Sequence, residues 1–175
     1  PEIDLKVEEL LSQMTVEEKL GYIGGIDWMY TKSIDRLGIH RMRMSDGPQG
    51  IGTKGKSTAY PATVTLAATW NENLAYQYGK ALGRDCRARN INVILGPAVN
   101  IYRAPMCGRN FEYMGEDPYL TSRICVGYIK GVQDQGVMAT VKHFVANNSD
   151  YDRNNISNDI DERTLNEIYF PAYKA

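Results

Sequence analysis

The feature that most constrains this chain is an alternation of two hydrophobic periods. Apolar or alternating stretches that read as strands occur at "HRMRMSD" (40–46), "ATVTLAATW" (62–70), "INVILGPAV" (91–99) and "VMATVKHF" (137–144). "INVILGPAV" is almost wholly apolar, as a strand buried on both faces would be. Helical segments interleave with these strands. Asn71 can cap "ENLAYQYGKALGRDCRARN", whose Leu74, Tyr78 and Leu82 recur every fourth residue. Asp117 and Pro118 form an N-cap and first-turn pair for "YLTSRICVGYIKGVQDQG". Ahead of them, Leu5, Leu10 and Leu11 mark one helix, and Thr15 with Glu18 makes a capping box for a second that Gly24 and Gly25 end. Asp161 opens a last helix, "ERTLNEIYFPAYKA".

Strands alternating with amphipathic helices predict an α/β fold with a parallel sheet. Four such units are about half of a TIM-type (β/α)8 barrel, which takes roughly 250 residues. The ending "FPAYKA" is still helical and lacks a C-cap glycine. The expectation is therefore that residues 1–175 are the first part of a barrel domain, truncated at the C-terminal end.

Composition narrows the partners. The 20 basic and 21 acidic residues leave a formal net charge of −1, so no broad field draws in nucleic acid or an anionic membrane. No apolar run approaches the roughly 18 residues of a membrane span. Cys86, Cys107 and Cys125 are far apart and form no C-x-x-C pair, so they read as buried or free thiols and not as a metal site or disulfide framework. No cofactor or metal is indicated. The sequons at Asn147 and Asn155 bear only on a eukaryotic secretory route, and localisation stays open.

One motif has to be tested and set aside. "GIGTKGKST" matches the phosphate-loop spacing through Gly50, Gly55, Lys56 and Ser57. A working phosphate loop leaves a strand directly and opens a helix at its Lys-Ser. Here "DGPQ" separates the motif from the strand, and Pro61 falls inside the helix that would be needed, where it costs about 3 kcal/mol. The two apolar strands "NVILGP" and "MATVKHF" carry no magnesium-holding Asp. The match is read as coincidental.

In a parallel barrel, functional groups gather at the C-terminal ends of the strands and in the loops beyond. Asp46 ends "RMRMSD", Arg109 follows "NVILGP" in a long irregular stretch, and Lys142 and His143 close "VMATVKH". An acid, a guanidinium, an amine and an imidazole at three strand ends suit a neutral, hydroxyl-rich ligand: the carboxylate accepts from hydroxyls and the cations donate. Plainer readings stand beside this one. Asp46 in "SDGPQG" is also turn chemistry, Arg109 can pair with Glu112 or Glu116 on the surface, and His143 can be a hydrogen-bonded core imidazole. Lys142, ending an apolar strand, must find a partner or water. Glu116 and Asp117 read as serving the following helix N-terminus.

At these residues the chain resembles glycoside hydrolase family 3, most closely its β-glucosidase branch. The similarity runs from "QMTVEEKLGYIGG" through "RLGIHRMRMSDGPQGI", "YPATVTLAATWN", "LGPAVNIYRAPMCGRNFEYMGEDPYL" and "VMATVKHFVANN" to "DERTLNEIYFPAYKA". The resemblance implies a (β/α)8 N-terminal domain and a retaining glycosidase acting on terminal non-reducing β-D-glucosyl residues of a β-glucoside or short oligosaccharide. It implies that Asp46, Arg109, Lys142 and His143 bind the sugar in the −1 subsite. It also implies that neither catalytic carboxylate lies in this segment, because the family's nucleophile block comes later and the acid/base group later still. The partner for catalysis would be the remainder of the same polypeptide. The loop "VANNSD" lacks the histidine-bearing block of the β-N-acetylhexosaminidase branch. A β-xyloside substrate, or a non-catalytic sugar-binding or structural barrel fragment, remains as the alternative.

Overall fold

The computed structural model describes residues 2–52 and 55–175, in two compact units that meet in sequence between Met44 and Ser45. In the first unit, α1 (Glu2–Gln13) and α2 (Val16–Gly24) bury no residue. The predicted capping box forms: the Thr15 side chain accepts from the Glu18 N–H while Glu18 accepts from the Thr15 N–H. Arg36 clips the junction of the two helices, donating to both Glu18 carboxylate oxygens and to the Gln13 carbonyl.

The second unit, Ser45–Ala175, carries the sheet and the main core. Strands β1 (Met44–Asp46), β2 (Val93–Leu95) and β3 (Met138–Ala139) lie in the order β1-β2-β3. β2 and β3 are parallel, with Val93 opposite Met138 and Ile94 opposite Ala139. The parallel pairing continues past the regular strands as a bridge between Ala98 and Lys142. There the Val99 N–H donates to the Lys142 carbonyl at 2.7 Å and the Lys142 N–H to the Pro97 carbonyl at 3.0 Å. The strands are thus shorter than the apolar segments that announce them. Within β2 Ile94 is fully buried and Val93 and Leu95 partly so, while Ile91, Ala98 and Val99 of the same apolar segment are also buried.

Two long helices back the sheet. α4 (Glu72–Ala88) starts at Asn71, whose side chain accepts from the Leu74 N–H. α5 (Pro118–Gln133) starts at Asp117, which accepts from the Leu120 N–H. Both caps match the sequence expectation. Tyr78 and Leu82 of α4 are buried, while Leu74 at the exposed first turn is not. Glycines let the two helices touch along their backbones: a Cβ on Gly131 would fall 2.1 Å from the Tyr76 carbonyl oxygen, and one on Gly79 2.1 Å from that of Tyr128. Leu82, Ile94, Ile124, Tyr128 and Val132 fill the space between helices and sheet. Cys86, Cys107 and Cys125 are all buried and free, the plain reading of the thiols.

"ATVTLAATW" corrects a prediction. It forms not a strand but the short helix α3 (Thr63–Ala67). Thr63, Leu66 and Ala67, spaced three and four apart, are its buried residues, so helical periodicity outranks the β-branched composition. The Thr63 hydroxyl donates to the Glu112 carbonyl at 2.7 Å, which a strand at this place would not allow on the same face as Leu66. The phosphate-loop match fails as expected where it is described: Ser57 lies outside any helix and its hydroxyl donates to the Ile51 carbonyl. Thr53 and Lys54 of that motif lie outside the described residues. The expected last helix is broken into α6 (Glu162–Thr164), a π-helical turn (Leu165–Tyr169) and α7 (Pro171–Lys174). Pro171 explains the break, since it lacks the N–H that a continuous helix would use. Among the described residues no helix is long and apolar enough to cross a membrane.

Candidate functional site

The turn after β1 presents the first group. Gly47, at φ 122°, donates its N–H to Asp46 Oδ1 at 2.9 Å, and a side chain there would collide with the Gly50 carbonyl. Buried tyrosines anchor the turn from below: the Tyr128 hydroxyl donates to the Pro48 carbonyl at 3.0 Å, and the Tyr78 hydroxyl lies 3.4 Å from the same carbonyl. Asp46 is therefore the last residue of β1, and its carboxylate accepts from the first N–H of a turn that is bolted to the core.

Lys142 arrives from the other edge of the sheet, held by its two backbone hydrogen bonds to the segment after β2. Its Nζ lies 2.5 Å from Asp46 Oδ1 and 3.6 Å from Glu112 Oε2. Arg109 precedes a 3-10 turn (Asn110–Glu112), and its Nε donates to Glu112 Oε1 at 2.5 Å. The Arg109–Glu112 pairing that sequence places on the surface is in fact buried on the acid's side, with the Glu112 side chain 3% exposed. Asp46, Lys142, Glu112 and Arg109 thus form one connected network.

His143 joins from one side. Its Nδ1 lies 3.3 Å from the hydroxyl of the fully buried Tyr113, which also accepts from Asn147 Nδ2 at 2.8 Å. Burial pushes the imidazole down to about 4, and the Arg109 and Lys142 cations push the same way against Asp46 and Asp150. It is a neutral donor and acceptor at pH 7. Burial tends to raise the Asp46 carboxyl, but the hydrogen bond and charge of Lys142 outweigh it and hold the group below the usual range. Burial likewise opposes the charge on Arg109, and Glu112 overcomes it, raising the guanidinium further.

Two clefts open on this network. One of about 610 Å³ is lined by Asp46, the Gly47–Ile51 turn, Arg109, Glu112, Asp150 and Arg153. A second of about 330 Å³ is lined by Arg109, His143, Asn147 and Arg153. Arg109 and Arg153 belong to both; Asp46 borders the first and His143 the second. Sequence reasoning passed over Glu112 as a site residue and missed Asp150 and Arg153, which pair at 3.1 Å. Their segment, "NNSDYDRNN", is indistinguishable by composition from a solvated loop. Among the described residues no cluster of His, Cys, Asp and Glu could hold a metal ion.

Residues 14–175 match the family described as glycosyl hydrolase family 3 N terminal domain. The chain is 48% identical to β-glucosidase BoGH3A of Bacteroides ovatus, over 99% of this chain and 25% of that protein. It is 44% identical to thermostable β-glucosidase B of Acetivibrio thermocellus, over 96% and 24%. Among solved structures, β-glucosidase 3B of Thermotoga neapolitana, in complex with α-D-glucose, superposes with a TM-score of 0.89 at 38% identity, covering 97% of this chain and 27% of that one. The chain spans about a quarter of the length of these relatives. Its parallel strand–helix repeats are those of a TIM-type (β/α)8 barrel, and the chain belongs to the N-terminal domain of glycoside hydrolase family 3.

Proposed function

We propose that this chain is the N-terminal part of a retaining β-glucosidase that removes terminal non-reducing β-D-glucosyl residues, and that Asp46, Arg109, Lys142 and His143 bind the sugar in its −1 subsite. The observation that carries the reading is the charge balance of the network. Two acids, Asp46 and Glu112, face two cations, Lys142 and Arg109, while His143 is neutral. Such a site has many fixed donors and acceptors but no net charge, which suits hydroxyls and disfavours a phosphate or carboxylate. Arg153 at the rim of both clefts adds a further donor. Relatives that are β-glucosidases support a glucoside over a xyloside.

In this reading the nucleophile and the acid/base group come from the remainder of the same polypeptide. They would stand about 5 Å apart across the sugar and act through a covalent glycosyl-enzyme intermediate. The present chain contributes orientation: fixed hydrogen bonds hold the ring so that its anomeric carbon meets the nucleophile. The test is an assay of the complete polypeptide and of residues 1–175 alone on an aryl β-glucoside. Turnover by the complete polypeptide alone is expected. Turnover by the 175-residue chain at ordinary enzyme rates would overturn the assignment of both carboxylates to later sequence.

A further inference from the structure

We propose that Glu112, which borders the first cleft, is the positioning residue of the sugar clamp, setting Arg109 and Lys142 with both of its carboxylate oxygens committed to them and not to the ligand; this rests on the sugar-binding reading above. The 3-10 turn carries three residues per turn, which brings side chains three apart onto one line, so Arg109 and Glu112 meet locally. The turn is fastened by α3 on one side and by the cleft-lining turn after β1 on the other. The Thr63 hydroxyl of α3 donates to the carbonyls of Glu112 and Tyr113 at 2.7 and 3.2 Å, and the Gln49 side chain donates to the Phe111 carbonyl. A carboxylate 3% exposed is costly unless charged partners compensate it, and here each oxygen has its own: Oε1 the Arg109 Nε, Oε2 the Lys142 ammonium. By taking the Nε edge, Glu112 leaves the two terminal nitrogens of Arg109 to meet hydroxyls. By facing Lys142 opposite Asp46, it fixes the ammonium between two anions and neutralises the pair of cations.

Glu112→Gln tests this in the complete polypeptide, because the amide keeps the shape and an acceptor oxygen but deletes one negative charge. The expected results are a fall in kcat/KM of at least about 50-fold and a new competitive inhibition by inorganic phosphate, absent in the wild type, as the clamp becomes net positive. A purely structural ion pair would not create anion binding. Glu112→Asp keeps the charge but shortens the arm, and should lose about tenfold in kcat/KM without becoming sensitive to phosphate. A folded Glu112→Gln enzyme within threefold of wild type, or one that phosphate leaves uninhibited, overturns the proposal. Should Glu112→Gln fail to fold, a folded Glu112→Asp enzyme within threefold of wild type overturns it. A wild-type polypeptide inactive on β-glucosides refutes the glucosidase reading instead. In that event a crystal structure of either folded variant decides: displacement of Arg109 or Lys142 by about 1 Å or more supports positioning, and both side chains unmoved overturns it.

Discussion

The Lys142 ammonium lies 2.5 Å from the Asp46 carboxylate across 96 residues of sequence, because the two residues end the segments that flank the central strand β2 on either side. The Lys142 side chain is 12% exposed and that of Asp46 is 55% exposed, so the lysine is the fixed partner and the aspartate the one open to ligand. Replacing either in the complete polypeptide, Asp46→Ala or Lys142→Met, should lower kcat/KM by about 100-fold or more. The double variant should lose less than the sum of the two, with a coupling of about 1 kcal/mol or more. A loss of only a few-fold for Asp46→Ala would remove it from the clamp.

His143 predicts a pH dependence of stability. Its folded value is about 4, against an ordinary imidazole near 6.5. Between these values the unfolded chain binds a proton that the folded chain does not, so stability should fall as pH falls from about 6.5 to 4 and be fully retained above. Thermal midpoints measured across this window should slope upward with pH, by the equivalent of about 1–2 kcal/mol after solvent screening. In His143→Asn that slope should flatten. An unchanged slope would mean that another group titrates.

Gly131 sets the distance between α4 and α5. An added methyl would meet the Tyr76 carbonyl oxygen at 2.1 Å, and backbone cannot yield as a side-chain tip can. Gly131→Ala should cost about 2–4 kcal/mol despite alanine's better helix propensity of about 1 kcal/mol. Native-state hydrogen exchange of α5 amides would read the loss, and unchanged protection would refute the close approach.

Asp117 caps α5 through its bond to the Leu120 N–H at 2.6 Å. Asp117→Ala should destabilise the helix by about 1 kcal/mol, whereas Asp117→Asn, which also caps, should be close to neutral. Exchange rates of amides in the first turn of α5 distinguish the two. Equal effects of the two substitutions would refute the cap.

Much of the fold was legible because its signals are local. Thr15 with Glu18, Asn71 and Asp117 start helices where sequence placed them, since a capping side chain bonds to an N–H only two or three residues away. "TVTLA" misled because β-branched residues favour strands only where a neighbouring strand receives them. Here Thr63, Leu66 and Ala67 find a buried site on one helical face instead. The candidate site divides the same way. Asp46, Arg109, Lys142 and His143 stood out as polar groups closing apolar strands or following them. Glu112 and Arg153 did not, because acids and arginines in polar loops are common and their burial or cleft-facing is invisible in sequence.

Sequence by itself determined the alternation of strand and helix, the helix starts, the family blocks and the residues worth watching. All of these follow from periodicities and contacts within a few residues. Only the tertiary structure decided that Glu112 is buried between Arg109 and Lys142, that His143 is neutral beside Tyr113, and that Arg153 borders both clefts. The reason is electrostatic and geometric: the charge state and reach of a side chain depend on which distant groups share its low-dielectric surroundings, and that is settled when the sheet brings strand ends together.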